Sequence, residues 1–312
     1  MEYGFGVDLG GTTVKLAFFD REGNMLHKWE IPTRTENNGE NILPDIAGAI
    51  ENYLTANSLS RKDVLGVGIG VPGVVREDGW VNRCVNLGWG VFNIKEELQK
   101  LTGLTVAVGN DATVAALGEC WKGGGQGCRN MVLVTLGTGV GGGIVANGKV
   151  LFGAHGAGGE IGHMVINRQE MEQCGCGKRG CVEQYCSATG IVRLVKKMQK
   201  DTRIACVLSD REFTCKDVFD AAAQGDMICI FVLEKVYKYL GEFLANLCCA
   251  TDPERFVFGG GVSKAGQPLL DGVRGYFTQY AFHAHQDVEF TLATLGNDAG
   301  AYGAFKLLLD AE

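Results

Sequence analysis

Apolar residues along this chain fall into short alternating runs, separated by longer stretches with helical spacing. Residues 3–9 alternate as a half-buried strand does, and apolar runs at 14–19 and 25–31 predict two more strands beside tight turns. Further strands are predicted at 64–70, 105–108, 131–134, 255–258 and 288–293. Helices are predicted at 41–56, 93–102, 112–121, 187–200, 215–224, 227–250, 266–280 and 298–310, and no element is predicted in the polar segment 76–90. Strands that alternate with helices predict an α/β protein with partly parallel sheets.

A strand–glycine turn–strand unit occurs twice in this pattern. The first leaves strand 3–9 through Gly10-Gly11-Thr12-Thr13. The second leaves strand 131–134 through residues 135–143 and reaches Asn147-Gly148, a dipeptide typical of β-hairpins. Backbone N–H groups and hydroxyls in such turns can hold a phosphate, although a hairpin turn without a ligand has the same local pattern. The repetition favours a duplicated fold with one phosphate loop in each half.

The stretch from Glu160 to Glu183 contains a candidate metal site. Its possible ligands are His163, Cys174, Cys176 and Cys181. Three thiols and one imidazole have the ligand number and types of a structural zinc site. Glu160 and Glu183 flank these residues without being needed as ligands. A zinc knuckle for nucleic acid is the alternative, with Lys178 and Arg179 as its basic support.

Composition restricts the partners of this protein. Among 312 residues, 29 Lys and Arg face 36 Asp and Glu, and a net charge of −7 argues against nucleic acid or an anionic membrane as the main partner. The charged residues within 227–250 argue against a membrane-spanning helix. With a strand predicted from Tyr3 and no signal-peptide pattern, we expect a cytoplasmic protein. Of its 12 cysteines, the nine outside the metal site are then expected to be reduced.

Taken together, these motifs resemble the ROK family of sugar kinases. The family pattern is matched at 8–15, 70–73, 110–112, 136–143, 160–163, 174–181 and 259–263. The resemblance covers essentially the whole chain. It is strongest to ATP-dependent glucokinases of Gram-positive bacteria, through Asn-Leu-Gly-Trp at 86–89, Ala-Leu-Gly-Glu at 116–119 and Leu-Gly-Asn-Asp-Ala-Gly at 295–300.

The resemblance implies an α/β fold of the actin-like ATPase (ribonuclease H-like) type, with two domains closing around a cleft. The small domain would take residues 1–110 and 298–312, with the first phosphate loop. The large domain would take residues 111–297, with the second phosphate loop, the zinc site and the adenosine site.

Roles for single residues follow from the same resemblance. Asp111 would be the general base, although its local sequence alone favours a helix N-cap. The sugar would be bound by Asn86, Asn110, Asp111, Glu160, His163 and Glu183. The nucleotide and its Mg²⁺ would be bound by Asp8, Gly10, Gly11, Thr12, Lys15, Gly137, Thr138 and Gly139, and the adenosine by Gly259, Gly260 and Gly261. Zinc with four protein ligands would brace the sugar pocket structurally.

The implied reaction is the transfer of a phosphoryl group from ATP to the 6-hydroxyl of glucose. A kinase for N-acetylmannosamine, N-acetylglucosamine or fructose is the alternative, since pocket shape distinguishes these sugars. A non-catalytic sugar-responsive regulator is a further alternative. Repressors of this family carry an N-terminal helix-turn-helix, for which a strand beginning at Tyr3 leaves no room. The resemblance also suggests a homodimer.

Overall fold

The protein is described from a computed structural model, which covers residues 2–209 and 211–311 and gives the backbone alone at residues 83 and 85. These residues form two compact units. The first contains the residues up to Arg129, Gly143–Gly159 and those from Thr294 onward, and the second contains Asn130–Gly142 and Glu160–Ala293. The domain boundaries expected at residues 110 and 298 stay a prediction.

Most elements lie within one or two residues of their predicted positions. The strands are β1 (Tyr3–Leu9), β2 (Thr13–Asp20), β3 (Met25–Pro32), β4 (Val64–Val71), β5 (Val74–Val75), β6 (Trp80–Cys84), β7 (Trp89–Asn93), β8 (Thr105–Asn110), β9 (Met131–Leu136), β10 (Val140–Ala146), β11 (Lys149–Val150), β12 (Arg255–Gly259) and β13 (Glu289–Leu292). The helices are α1 (Glu36–Gly39), α2 (Ile42–Ala56), α3 (Ile94–Thr102), α4 (Asp111–Lys122), α5 (Glu183–Cys186), α6 (Ala188–Asp201), α7 (Cys215–Ala223), α8 (Met227–Thr251), α9 (Gln267–Tyr280) and α10 (Ala299–Asp310).

The first unit is built on a five-stranded sheet in the order β3-β2-β1-β4-β8. Strands β1, β2 and β3 are antiparallel, whereas β1, β4 and β8 are parallel. Alternation along β2 sends Phe18 into the core that contains α2, and sends Ala17 and Phe19 into the core that contains α10. Helix α10 lies directly on β4, because a Cβ at Gly68 would come within 1.7 Å of the Ala304 carbonyl oxygen. Helices therefore cover both faces of this sheet.

Strands β5, β6 and β7 form a small antiparallel sheet that the hydrophobic pattern did not predict. They lie in and around the polar segment 76–90. Buried residues such as Val81 and Trp89 are isolated between exposed ones along these strands. A pattern this short carries too little periodicity to predict a strand.

The second unit contains the parallel strands β9, β12 and β13, with β12 between the other two. Helix α8 is 25 residues long and buries apolar side chains along most of its length. Among the residues that the structure describes, no helix has both the length and the apolar character needed to cross a membrane. A location in the cytoplasm stays a prediction.

The turn predicted at Asn147-Gly148 joins β10 to β11 in an antiparallel hairpin. Asn147 has a φ of 53° and Gly148 a φ of 78°, as the two central residues of a type I′ turn require. This hairpin is therefore confirmed.

Candidate functional site

Asp111 lies where β8 ends and α4 begins. The N-cap of α4 is its neighbour Asn110, whose Oδ1 accepts a hydrogen bond from the Thr113 amide at 3.1 Å. Asp111 Oδ1 accepts from the Ala112 amide at 2.7 Å and from Asn110 Nδ2 at 2.8 Å. The carboxylate thus lies in the first turn of a 12-residue helix, where the helix dipole favours a negative charge. Because Asn110 is the N-cap of α4, helix capping does not explain why residue 111 is an aspartate.

The first glycine turn lies at the same edge of this sheet. The parallel register aligns Asp8 in β1 with Gly70 in β4, and Gly70 with Gly109 in β8. Asp8, the next-to-last residue of β1, and Asp111, directly after β8, therefore lie at the carboxyl ends of strands that are two strand spacings apart, about 10 Å. In open α/β sheets, ligands bind outside such ends.

Asp8 faces Lys15, whose Nζ lies 3.6 Å from the Asp8 carboxylate. Burial raises the pKa of Asp8, and the charge and hydrogen bond of Lys15 offset part of that effect. Between the two residues, the turn closes with a hydrogen bond from the Gly10 amide to the Thr13 carbonyl at 3.0 Å, while Gly11 and Thr12 are exposed. This arrangement offers a partly buried carboxylate that a cation would stabilise, beside an open glycine turn.

Asn86, the other sugar-contact candidate of the first unit, lies in a 3-10 turn over residues 85–87 and is exposed. Its neighbour Leu87 is fully buried and anchors this turn in the core.

The second glycine turn follows β9 in the second unit. Its carbonyl groups are held by the start of α6: the Ala188 amide donates to Gly137 O at 2.8 Å, and Thr189 Oγ1 donates to Thr138 O at 2.7 Å. Gly139 lies so close to Glu183 that a Cβ would come within 2.3 Å of its carboxylate. These three contacts fix the backbone of the turn.

The glycines at 259–261 emerge beside this second turn, because Gly259 pairs with Thr135 at the ends of parallel strands. Gly260 has a φ of 83°, and a Cβ there would come within 2.5 Å of the Leu136 carbonyl oxygen. Close packing on β9 therefore explains Gly260 by itself. A Cβ at Gly261 would meet open space, which leaves room for a ligand.

The structure also assembles the predicted metal site, which we call the Cys₃His cluster. Its members are His163, Cys174, Cys176 and Cys181, and one potential ligand atom from each lies within 4.8 Å of the other three. Cys176 Sγ lies 3.6 Å from Cys181 Sγ, and Cys174 Sγ lies 3.9 Å from His163 Nδ1. A tetrahedral zinc ion with Zn–S bonds of 2.3 Å requires ligand separations of about 3.8 Å. The residues thus fit zinc in chemistry and in spacing.

Zinc would bind these thiols in their deprotonated form. Burial, together with hydrogen bonds to the neighbouring thiols, raises the pKa of Cys181 to about 12. Such a thiol ionises at neutral pH only when a cation compensates its charge.

Each ring nitrogen of His163 faces polar groups that can orient the ring. Nδ1 faces the thiols, while Nε2 lies 3.9 Å from the Glu160 carboxylate. The position before His163 must be glycine, because a Cβ at Gly162 would come within 1.9 Å of the Val140 carbonyl oxygen. Glu183 accepts from the Val140 amide at 3.0 Å and from the Cys174 thiol at 3.7 Å. The two glutamates and the outer face of His163 thus surround the cluster with hydrogen-bonding groups.

A buried ion-pair network, which the sequence pattern did not reveal, supports the loop between His163 and Cys174. The Glu170 carboxylate accepts from Tyr185 Oη at 2.5 Å and from Arg193 at 3.1 Å. Asn167 donates to the same Tyr185 hydroxyl at 2.8 Å. The partners lie 15 and 23 residues from Glu170 in sequence, and so only the fold brings them together.

This network predicts a pH-dependent stability. Burial disfavours ionisation of Glu170, but hydrogen bonds from Tyr185, the Glu172 amide and Arg193 outweigh it and lower the pKa from 4.5 to about 2. A lowered pKa stabilises the folded state above pH 4.5, and this contribution is lost as the pH falls towards 2. We expect Glu170→Gln to reduce the free energy of unfolding by about 3 kcal/mol at pH 6, with a difference that shrinks between pH 5 and pH 2.

Urea unfolding of both proteins at each pH measures this difference. Glu172→Gln is the matched control, since it removes the exposed ion pair of the same Arg193 and should cost less than about 1 kcal/mol. A difference between wild type and Glu170→Gln that stays constant from pH 6 to pH 2 would exclude the ionised carboxylate as its cause.

The sequence pattern of the ROK family matches residues 4–311. The chain belongs to the ROK family. It has the actin-like ATPase fold of the ROK sugar kinases, with two domains. The expected family and fold class are both confirmed.

Individual ROK proteins match this chain over its whole length. A glucokinase of Halalkalibacterium halodurans is 45% identical, over 98% of this chain and 95% of that protein. The crystal structure of a ROK family glucokinase from Streptomyces griseus, in complex with glucose and AMPPNP, is 33% identical with a TM-score of 0.74, over 98% of both chains. A ROK hexokinase from Thermus thermophilus is 29% identical with a TM-score of 0.84, over 99% of both chains.

Proposed function

We propose that this ROK protein is an ATP-dependent glucokinase that phosphorylates the 6-hydroxyl of D-glucose. The observation that carries the proposal is the 45% identity to a glucokinase over 98% of the chain. A kinase for N-acetylmannosamine, N-acetylglucosamine or fructose is the alternative, since pocket shape distinguishes these sugars.

In the proposed reaction, Asp111 accepts the proton of the 6-hydroxyl while the hydroxyl oxygen attacks the γ-phosphorus of ATP. Transfer of the phosphoryl group breaks the bond to the β-phosphate oxygen and releases ADP. Asp111 suits this role because the start of α4 favours its charge and the Asn110 amide orients it. Asn86 and Asn110 would bind further sugar hydroxyls.

The second unit would supply the remaining sugar contacts. Glu160 and Glu183 are carboxylates, which accept strong hydrogen bonds from neighbouring hydroxyls. His163 would hold zinc through Nδ1, which leaves the Nε2 proton for the sugar or for Glu160. Zinc in the Cys₃His cluster would fix the orientation of the His163 ring and of the surrounding loop.

The nucleotide would be held by the glycine turns. Gly10, Gly11 and Thr12, together with Gly137, Thr138 and Gly139, would contact phosphates, and Lys15 would contribute positive charge. Asp8 would hold the Mg²⁺ that accompanies ATP, and that cation would neutralise charge on the phosphates. Gly259, Gly260 and Gly261 would lie against the adenosine, with the open space at Gly261 as the supporting observation.

An assay of ADP release across a panel of sugars tests this proposal. With Mg²⁺ and ATP, we expect kcat/KM for glucose to exceed that for N-acetylmannosamine, N-acetylglucosamine and fructose by at least tenfold. A higher kcat/KM for one of those three sugars would identify that sugar as the substrate instead of glucose. The absence of sugar-dependent ADP release would favour a non-catalytic regulator instead.

A further inference from the structure

Glu119 is a buried carboxylate to which the proposed reaction assigns no role. It lies on the inner face of α4, eight residues after Asp111, with an exposed fraction of 1%. A buried carboxylate is costly unless hydrogen bonds stabilise it. Its surroundings therefore indicate what the residue does.

The Glu119 side chain binds backbone amides from two segments of the first unit. Oε2 accepts from the Gly124 amide at 2.8 Å and from the Thr294 amide at 3.0 Å, and Oε1 accepts from the Leu295 amide at 2.9 Å. The carboxylate thereby fixes Thr294 and Leu295 directly to α4, and Leu295 is the first residue of the Leu-Gly-Asn-Asp-Ala-Gly motif.

That motif lies against the predicted Mg²⁺ and phosphate site. The Asn297 carbonyl accepts a hydrogen bond from Lys15 Nζ at 3.3 Å. A Cβ at Gly300 would come within 2.6 Å of Asp8 Cγ, so the start of α10 packs on the Asp8 carboxylate. A shift of this segment would therefore displace both Asp8 and Lys15.

Helix α4 and the segment also fit together through Gly118, where a Cβ would come within 2.2 Å of the Ala299 carbonyl oxygen. Gly118 and Glu119 both belong to the Ala-Leu-Gly-Glu motif. The glycine permits the close approach of the backbones, and the carboxylate holds the amides of Thr294 and Leu295 just before Gly296.

We propose that Glu119 is a positioning residue for nucleotide binding, which holds segment 294–300 against Asp8 and Lys15. This inference rests on the proposed kinase function. The Ala-Leu-Gly-Glu and Leu-Gly-Asn-Asp-Ala-Gly motifs together would position the groups that bind the nucleotide, and not those that bind the sugar.

Glu119→Gln tests the proposal, because an amide nitrogen would face at least one backbone N–H that now has an acceptor. We expect the Kd for Mg-AMPPNP, measured by calorimetry, to rise about tenfold, while the Kd for glucose stays within twofold. Asp226→Asn is the matched control. Asp226 is also a buried carboxylate on two backbone amides, those of Val207 and Cys229 in the second unit. It should lower the melting temperature without changing the Kd for Mg-AMPPNP.

Unchanged Mg-AMPPNP affinity in Glu119→Gln would overturn the proposal, and so would an equal loss in Asp226→Asn. Wild-type protein that binds no Mg-AMPPNP would instead contradict the proposed function itself.

If Glu119→Gln does not fold, hydrogen exchange of the wild-type protein provides a second test of the proposal. Mg-AMPPNP should slow exchange at the amides of Thr294 and Leu295 severalfold, whereas glucose should not. Unaltered exchange at these two amides would overturn the proposal as well.

Discussion

Replacing Asp111 by Asn is expected to abolish turnover and leave glucose binding within a few-fold of wild type. The amide has nearly the shape of the carboxylate but cannot accept the proton of the 6-hydroxyl. Loss of a general base typically lowers kcat by 10² to 10⁴, or about 3 to 5 kcal/mol of transition-state stabilisation. The measurement is kcat from ADP release, together with glucose binding by calorimetry.

Asp217→Asn is the control for this variant. Asp217 is also a carboxylate in the first turn of a helix, where it accepts from the Thr214 amide at 2.7 Å. Because it serves the capping box of α7 and an ion pair with Arg211, its replacement should leave kcat unchanged. Near-normal kcat in Asp111→Asn would remove Asp111 from the chemistry. Loss of glucose affinity with an unchanged kcat would assign it to binding alone.

The second large effect is expected at the Cys₃His cluster, where Cys176→Ser should lower stability and sugar affinity together. Cys176 is the exposed thiol of the cluster, so its replacement leaves no cavity and reports the loss of the metal. Since metal binding contributes directly to folding, we expect the melting temperature to fall by about 10 °C. We expect the KM for glucose to rise about tenfold or more, because the loop that carries Glu160 and His163 loses its support.

Elemental analysis provides the direct control, with one zinc per chain expected in wild-type protein and none in Cys176→Ser. Cys249→Ser replaces another exposed thiol, on α8, and should change neither zinc content nor KM. Wild-type protein without zinc would refute the role assigned to the metal. Loss of zinc in Cys176→Ser with an unchanged KM for glucose would mean that the metal contributes to stability only.

Several parts of this molecule could be predicted because their determinants are local in sequence. Long helices such as α8 are predictable from the spacing of their apolar residues, and buried strands such as β4 from a short apolar run bounded by turn residues. The Cys₃His cluster was predictable because three thiols fall within eight residues, 174–181. The hairpin at Asn147-Gly148 needs two residues with positive φ, and this dipeptide is the usual one that supplies them.

Other parts depend on contacts that no local pattern encodes. The sequence around Asp111 allowed either an N-cap or a base, and only the structure assigns the cap to Asn110. Glu119 is a charged residue among buried neighbours on α4, which signals a buried partner without identifying it. Its partners at Thr294 and Leu295 are 175 and 176 residues away. The Glu170 network likewise depends on Tyr185 and Arg193.

The residue roles in sugar and nucleotide binding stay predictions, as does the homodimer. Asp8 and Asp111 lie at the carboxyl ends of parallel strands, where ligands of this fold class bind. Gly260 is already explained by its packing against Leu136, so its substitution would not report on adenosine binding.

The central claim is that this protein transfers the γ-phosphoryl group of ATP to the 6-hydroxyl of glucose. Phosphorus and carbon NMR of a reaction that contains ATP, Mg²⁺ and an equimolar mixture of glucose, N-acetylmannosamine, N-acetylglucosamine and fructose tests it most directly. The expected result is glucose 6-phosphate as the main early product, formed in equal amount to ADP. Another sugar phosphate as the main product, or ADP without any sugar phosphate, would contradict the claim.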